Sequence, residues 1–169
     1  MIANAKQMIT KKAAEIGIDK IGFGAADPFT HLEESLREQK EKNHVSGFEH
    51  PIIEERIYPE LIFENPKSFL SIALAYPTVM QTPPKREKGV RRGYFARASW
   101  GVDYHKILNE KLDQLIEYMQ DEFGSNFHYR SMVDTGALID VAVAHRCGMG
   151  FIGKNGLLIT GIWFLCIFR

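Results

Sequence analysis

The stretch SFLSIALAYP, Ser68–Pro77, decides how the rest of the chain is read. From Leu70 to Tyr76 its side chains alternate in size. Leu70, Ile72, Leu74 and Tyr76 fall on one face of an extended segment, and Ser71, Ala73 and Ala75 on the other. The pattern predicts a strand with a bulky face and a small face. A small face lets a neighbour approach closely, and that neighbour is either a packed helix or a flat cofactor.

Toward the N-terminus, KIGFGAA at Lys20–Ala26 predicts a second short strand. Before it, Met8, Ile9, Ala13 and Ile16 recur at helical spacing and predict an amphipathic helix over 3–16. Between the strands, DPFTHLEESLREQKEKN opens on an Asp-Pro helix signal and predicts a charged surface helix. Beyond Pro77, Gln81–Gly93 holds two prolines, two glycines and the cations Lys85, Arg86, Lys88, Arg91 and Arg92, which predicts a loop. DYHKILNEKLDQLIEYMQDEFG is the strongest helix, with Asp103 as N-cap and Gly124 as stop. Ile107, Leu108, Leu112, Leu115, Ile116, Met119 and Phe123 trace its apolar stripe. FHYRSMVD then alternates into Asp134 as a strand, and GALIDVAVAHRCG predicts a short helix. Helices and strands alternate along the chain, so the fold class is α/β.

The 169 residues suffice for about one domain, with 45% apolar and 25% charged residues. Twenty-one cations balance 21 anions, so no net field draws the chain to nucleic acid or a membrane. Cys147 and Cys166 form no C-x-x-C pair and cannot by themselves hold a structural zinc or an iron–sulfur cluster. Two separated cysteines suit a reducing cytoplasm. The lysine-broken N-terminus lacks an apolar signal core, and no run is long enough to span a membrane.

GMGFIGKNG, Gly148–Gly156, resembles two phosphate cradles without matching either. A dinucleotide fingerprint follows a strand and opens a helix, whereas Gly148 follows a helix. A P-loop needs Ser or Thr after its lysine, and Asn155 stands there. The spacing alone leaves a tight helix-to-strand connection, with Lys154 and Asn155 on a turn into GLLIT. Asp134, by position, reads as a helix N-cap or as an acid in a site. Tyr104 and His105 are pocket residues, or a core ring and a solvated first-turn residue.

The run SMVDTGALIDVAVAHRCGMGFIGKNGLLIT resembles the N-terminal domain of epoxyqueuosine reductases. FARASWGVDYHKIL, EERIYPELIFENPKSFLSIALAYP, KIGFGAA and VSGFEH carry the same resemblance, which covers nearly all of residues 1–160. It implies a mixed sheet flanked by helices in a nitroreductase-like, cobalamin-binding domain. It also implies reduction of epoxyqueuosine to queuosine at the wobble position of transfer RNA, with cobalamin and two four-iron, four-sulfur clusters. Such a reduction consumes two electrons and expels oxygen as water. Asp134 is then the catalytic acid, its pKa raised by burial beside the corrin. Arg56, Arg97, Asp134, Lys154, Asn155 and Leu158 are the implied cofactor contacts, with GMGFIGKNG a wall of the corrin pocket. Surface ion pairing with Glu54 or Glu55 is the competing reading of Arg56. The histidines have no ligand spacing, and the family holds cobalamin without an axial protein ligand. The basic loop reads as a solvated loop or as phosphate contacts beside the anticodon loop.

The resemblance fails after Thr160. The family continues into cluster-binding cysteines, whereas this chain reads GIWFLCIFR. Residues 161–169 therefore read as an atypical apolar tail and a truncation, so the clusters are expected only in the full-length protein. The full-length protein is expected to be a cytoplasmic monomer, away from membranes, served by an external electron donor. The alternative functions are a non-catalytic corrinoid-binding module and a flavin-binding nitroreductase-like domain.

Overall fold

A computed structural model describes residues 2–76, 79–83, 85, 87–93, 95–134, 136–161 and 166–168. The elements in chain order are α1 (Ile2–Glu15), β1 (Lys20–Ala25), α2 (Glu33–Glu41), α3 (Ile53–Ile57), β2 (Ser68–Ala75) and α4 (Tyr104–Phe123). They continue as α5 (Asp140–Arg146), β3 (Phe151–Ile152), β4 (Leu158–Ile159) and β5 (Cys166–Phe168).

The predicted bulky-and-small strand is β2, at the centre of a three-stranded sheet ordered β1-β2-β5. Every pairing among the described residues is antiparallel, in place of the expected mixed sheet. The register sets Ile21 opposite Ile72 and Phe23 opposite Leu70, so both strands put their large side chains on one face. That face packs under α1 and α4, with Ile9, Ala13, Ile72, Leu108, Leu112 and Leu115 in one buried cluster. Burying such an aliphatic side chain fully stabilises by about 1.5–3 kcal/mol.

The opposite face carries Gly22, Gly24, Ser71 and Ala73. It meets α5, not a flat cofactor. Ser71 and Ala73 are fully buried, and Ala73 shares a cluster with Ala142, Val143, Ala144, Cys147 and Met149. A Cβ on Gly22 would lie 2.2 Å from the Cys147 carbonyl oxygen, so only glycine admits the helix end there. The small residues of the strands thus bring a helix backbone down onto the sheet.

Several boundaries differ from expectation. Asp27-Pro28 does not start α2, which follows a 3₁₀ turn at Thr30–Leu32. The carbonyls of Asp27 and Pro28 instead accept from the Arg146 guanidinium, which stacks 3.6 Å from the Phe29 ring centroid. FHYRSMVD is irregular: Met132 packs against the small-face cluster and Val133 joins the bulky-face cluster. Its alternation reflects two cores, not a strand. Phe123 leaves the α4 stripe and is exposed. Of the tail, residues 166–168 pair with Ala73–Ala75 as β5, and 162–165 lie outside the described residues. Among the described residues, no helix is long and apolar enough to cross a membrane.

Candidate functional site

The first turn of α4 gathers the most chemistry in the molecule. Asp103 is its N-cap, and its carboxylate accepts the His105 N–H at 2.9 Å. The same oxygen lies 2.8 Å from Nδ1 of the His105 ring. These bonds, the side-chain one first, hold the Asp103 carboxyl below the usual carboxylate range. Tyr104 stacks on His105 with ring centroids 4.1 Å apart and planes inclined by 25°.

Asp134 arrives at this turn from thirty residues further along the chain. The Tyr104 hydroxyl donates to its Oδ2, and His105 Nε2 lies 3.8 Å from the same oxygen. The Asp134 backbone is left-handed, with φ 63°. Its neighbours Val133 and Met132 are anchored in opposite clusters, and Met132 folds back so closely that a Cβ on Gly136 would meet its Sδ at 2.8 Å. The carboxyl therefore follows directly on two packed side chains. Its own side chain remains 55% accessible.

This placement removes the cap reading of Asp134. Helix α5 begins at Asp140 with Ile139 at its N-cap position, six residues downstream. GALI stays outside the helix, with Leu138 buried in the small-face cluster and Ile139 packed against it. Thr135 lies outside the described residues.

GMGFIGKNG forms the end of α5 and a β-hairpin. Gly148, with φ 74°, stops the helix, and β3 and β4 pair through Phe151–Ile159 and Ile152–Leu158. Lys154 and Asn155 sit exposed at the hairpin tip. The Asn155 side-chain oxygen accepts the Leu157 N–H at 3.2 Å, and Gly153 N–H donates to the Leu157 carbonyl at 2.8 Å. Phe151, Ile152, Leu157 and Ile159 are all exposed, so the hairpin offers an apolar surface around a polar tip. Leu158 is half-buried against the small-face cluster.

Glu54 pairs with Arg37 at 2.9 Å and Glu55 with His50 at 2.6 Å, so neither takes up the half-buried Arg56 on α3. Arg97 is exposed on a 3₁₀ turn at Arg97–Ser99. In the basic loop, Arg92 pairs with Glu87 at 2.6 Å, Lys85, Lys88 and Arg91 are exposed, and Arg86 lies outside the described residues. Among the described residues, Asp134 is the expected site residue that meets other chemistry-bearing side chains, those of Tyr104 and His105. The consecutive Tyr-His after a capping Asp was the visible signal for that turn; its meeting with Asp134 had none.

Residues 56–135 match the family described as epoxyqueuosine reductase QueG, DUF1730. An epoxyqueuosine reductase of Listeria monocytogenes is 54% identical over 95% of this chain and 43% of its own length. The chain thus spans less than half the length of these curated relatives. Among solved structures, an epoxyqueuosine reductase with an epoxyqueuosine-modified tRNA-Tyr stem loop has a TM-score of 0.90 at 42% identity, covering 99% of this chain and 44% of that one. A Bacillus subtilis epoxyqueuosine reductase, described with its Asp134 catalytic loop swung out of the active site, has a TM-score of 0.89 at 40% identity, again over 99% and 44%.

Proposed function

This chain is a relative of the epoxyqueuosine reductases over the span it covers, and on that premise we propose that it forms the cobalamin-binding part of such an enzyme. The reaction is reduction of the epoxide of epoxyqueuosine, in the wobble position of a transfer RNA, to queuosine. Transfer RNA as substrate is supported by the relative solved with a modified stem loop. The nitroreductase-like character of the domain belongs to this proposal.

The observation that carries the reading is Asp134 itself. It caps no helix, it sits on a strained backbone, and its oxygen faces Tyr104 and His105. An acidic group held this way serves chemistry better than stability. The catalytic loop named for the Bacillus subtilis relative supports the same role.

The residues around a cobalamin fit its chemistry in part. The corrin is a broad apolar ring fringed by amides, and the exposed apolar hairpin with Lys154 and Asn155 at its tip offers both kinds of contact. Arg56 and Arg97 supply multi-donor forks toward amide or phosphate oxygens. The small face of β1 and β2 takes no part, being filled by α5. Bound cobalamin supplies the two reducing electrons.

Asp134 delivers a proton to the epoxide oxygen as its carbon–oxygen bond breaks, so that oxygen does not leave as a bare alkoxide. Two electrons and two protons in all convert the epoxide to the alkene and water. The Tyr104 hydroxyl fixes the carboxyl during that transfer. The 55% accessibility of Asp134 leaves its exposed side free to meet substrate.

The test has two arms. Absorbance titration of this chain with cobalamin is expected to show a base-off spectrum, whereas no change at high micromolar cobalamin with a folded chain removes the cofactor assignment. In a protein carrying the rest of the relatives' length, Asp134→Asn is expected to keep cobalamin and lose about 10²–10⁴ in turnover. Turnover within a few-fold of the parent removes Asp134 from the mechanism.

A further inference from the structure

We propose that Tyr104 and His105 are positioning residues that hold the Asp134 carboxyl against the first turn of α4. The inference rests on the reading of Asp134 as proton donor. It goes beyond it by naming what keeps that donor in place.

Three observations carry it. Among the described residues, the Tyr104 hydroxyl donates to Asp134 Oδ2, and His105 Nε2 stands 3.8 Å from it. The backbone of Asp134 is left-handed at φ 63°. Aspartate tolerates that conformation better than most residues, yet a stable population of it needs surroundings that impose it. The third observation is the stiffness of the opposing surface. Asp103 takes both the backbone N–H and the ring Nδ1 of His105, and the imidazole stacks on Tyr104. The two rings form one plate on a helix whose Leu108 and Leu112 are buried in the core. Sites built on such elements are held more tightly than sites on loops.

The roles of the two rings differ. The Tyr104 hydroxyl makes the direct hydrogen bond. His105 turns Nδ1 to Asp103 and Nε2 toward Asp134. At 3.8 Å that nitrogen makes no hydrogen bond. A small shift of the loop brings it within hydrogen-bond reach of the carboxyl. Val133, buried in the same cluster as α4, keeps that shift short.

The test uses this chain, isotopically labelled, with Tyr104→Phe and His105→Gln. The parent is expected to show the backbone coupling of a left-handed Asp134. Tyr104→Phe is expected to stay folded, average that coupling, and speed exchange of the Asp134 amide about tenfold, the scale of one lost hydrogen bond to a charged group. His105→Gln is expected to give about a threefold change. An averaged coupling in the parent, or an unchanged coupling and exchange in Tyr104→Phe, overturns the proposal. If Tyr104→Phe does not fold, an unchanged Asp134 in His105→Gln overturns it. In a protein carrying the remaining length, Tyr104→Phe is expected to lower kcat about tenfold with KM unchanged. A raised KM with unchanged kcat assigns Tyr104 to binding and overturns positioning. Normal turnover by Asp134→Asn defeats the proton-donor reading separately, because the coupling measurement needs neither cofactor nor substrate.

Discussion

The two faces of β2 are held in opposite ways. On the bulky face, Leu70, Ile72 and Leu74 interlock with side chains of α1 and α4. On the small face, Ser71 and Ala73 with Gly22 and Gly24 let the end of α5 come down until backbone meets backbone. The first face fails when atoms are removed. The second fails when atoms are added. One strand eight residues long therefore has opposite mutational sensitivities at alternate positions.

The sharpest way to break this contrast is on the bulky side. Leu115→Ala deletes a side chain that is 1% exposed in the core of α4 and is expected to cost about 2–5 kcal/mol, read from chemical denaturation. A cost below about 1 kcal/mol means that the face is loosely packed and the contrast is wrong.

Gly22→Ala is the matching addition on the small side. Its new methyl would meet the Cys147 carbonyl oxygen at 2.2 Å and Met149 Sδ at 2.8 Å, so α5 has to lift. The expected cost is about 1–3 kcal/mol. The same lift should expose Cys147, whose thiol burial pushes up to about 11. In the parent at neutral pH, iodoacetamide should leave Cys147 unmodified until the protein unfolds, and Gly22→Ala should hasten the reaction. Rapid labelling of the folded parent shows that the seal is absent.

A smaller effect is expected at the N-cap of α4. Asp103 has a depressed folded pKa, so it contributes stability above the ordinary carboxylate range and loses it as pH falls through its lowered value. Asn caps nearly as well as Asp, so Asp103→Asn removes only this charge-linked part. The melting temperatures of parent and Asp103→Asn should differ at neutral pH, converge in acid, and differ less in high salt. A gap that persists in acid rules out the charge.

Ser71→Ala is expected to have the least effect. The Ser71 hydroxyl is buried without a partner, so its removal should be neutral or stabilising by up to about 1 kcal/mol, measured by denaturant midpoint. A clear loss of stability reveals a partner for the hydroxyl and a less purely steric small face.

These contrasts show why the sequence was legible where it was. The size alternation from Leu70 to Ala75 is a local signal, and so are the Asp103 cap and Gly124 stop, and all three hold in the structure. Gly22 and Gly24 alternate too, but what they admit lies more than 120 residues away, so their purpose was hidden. FHYRSMVD misled because alternation fits any segment whose neighbours point into different cores. The cap reading of Asp134 failed because the helix begins only at Asp140, six residues beyond Asp134. The Asp134–Tyr104 contact joins a loop to the first turn of α4 thirty residues away, and pairings of that range leave no periodic mark. Arg56 and Arg97, named from resemblance alone, gain no contact with Asp134 from the geometry.

The closeness of α5 to Gly22 also has a consequence in time. On the ribosome, β1 and β2 emerge well before their small-face cover, and about 70 residues separate the end of β2 from the end of α5. At ~5–20 residues per second, the glycine-lined face waits roughly 4–14 s before its helix exists. During that interval the face lacks the helix end that meets its glycines, and a chaperone that binds short apolar strands has its opportunity then.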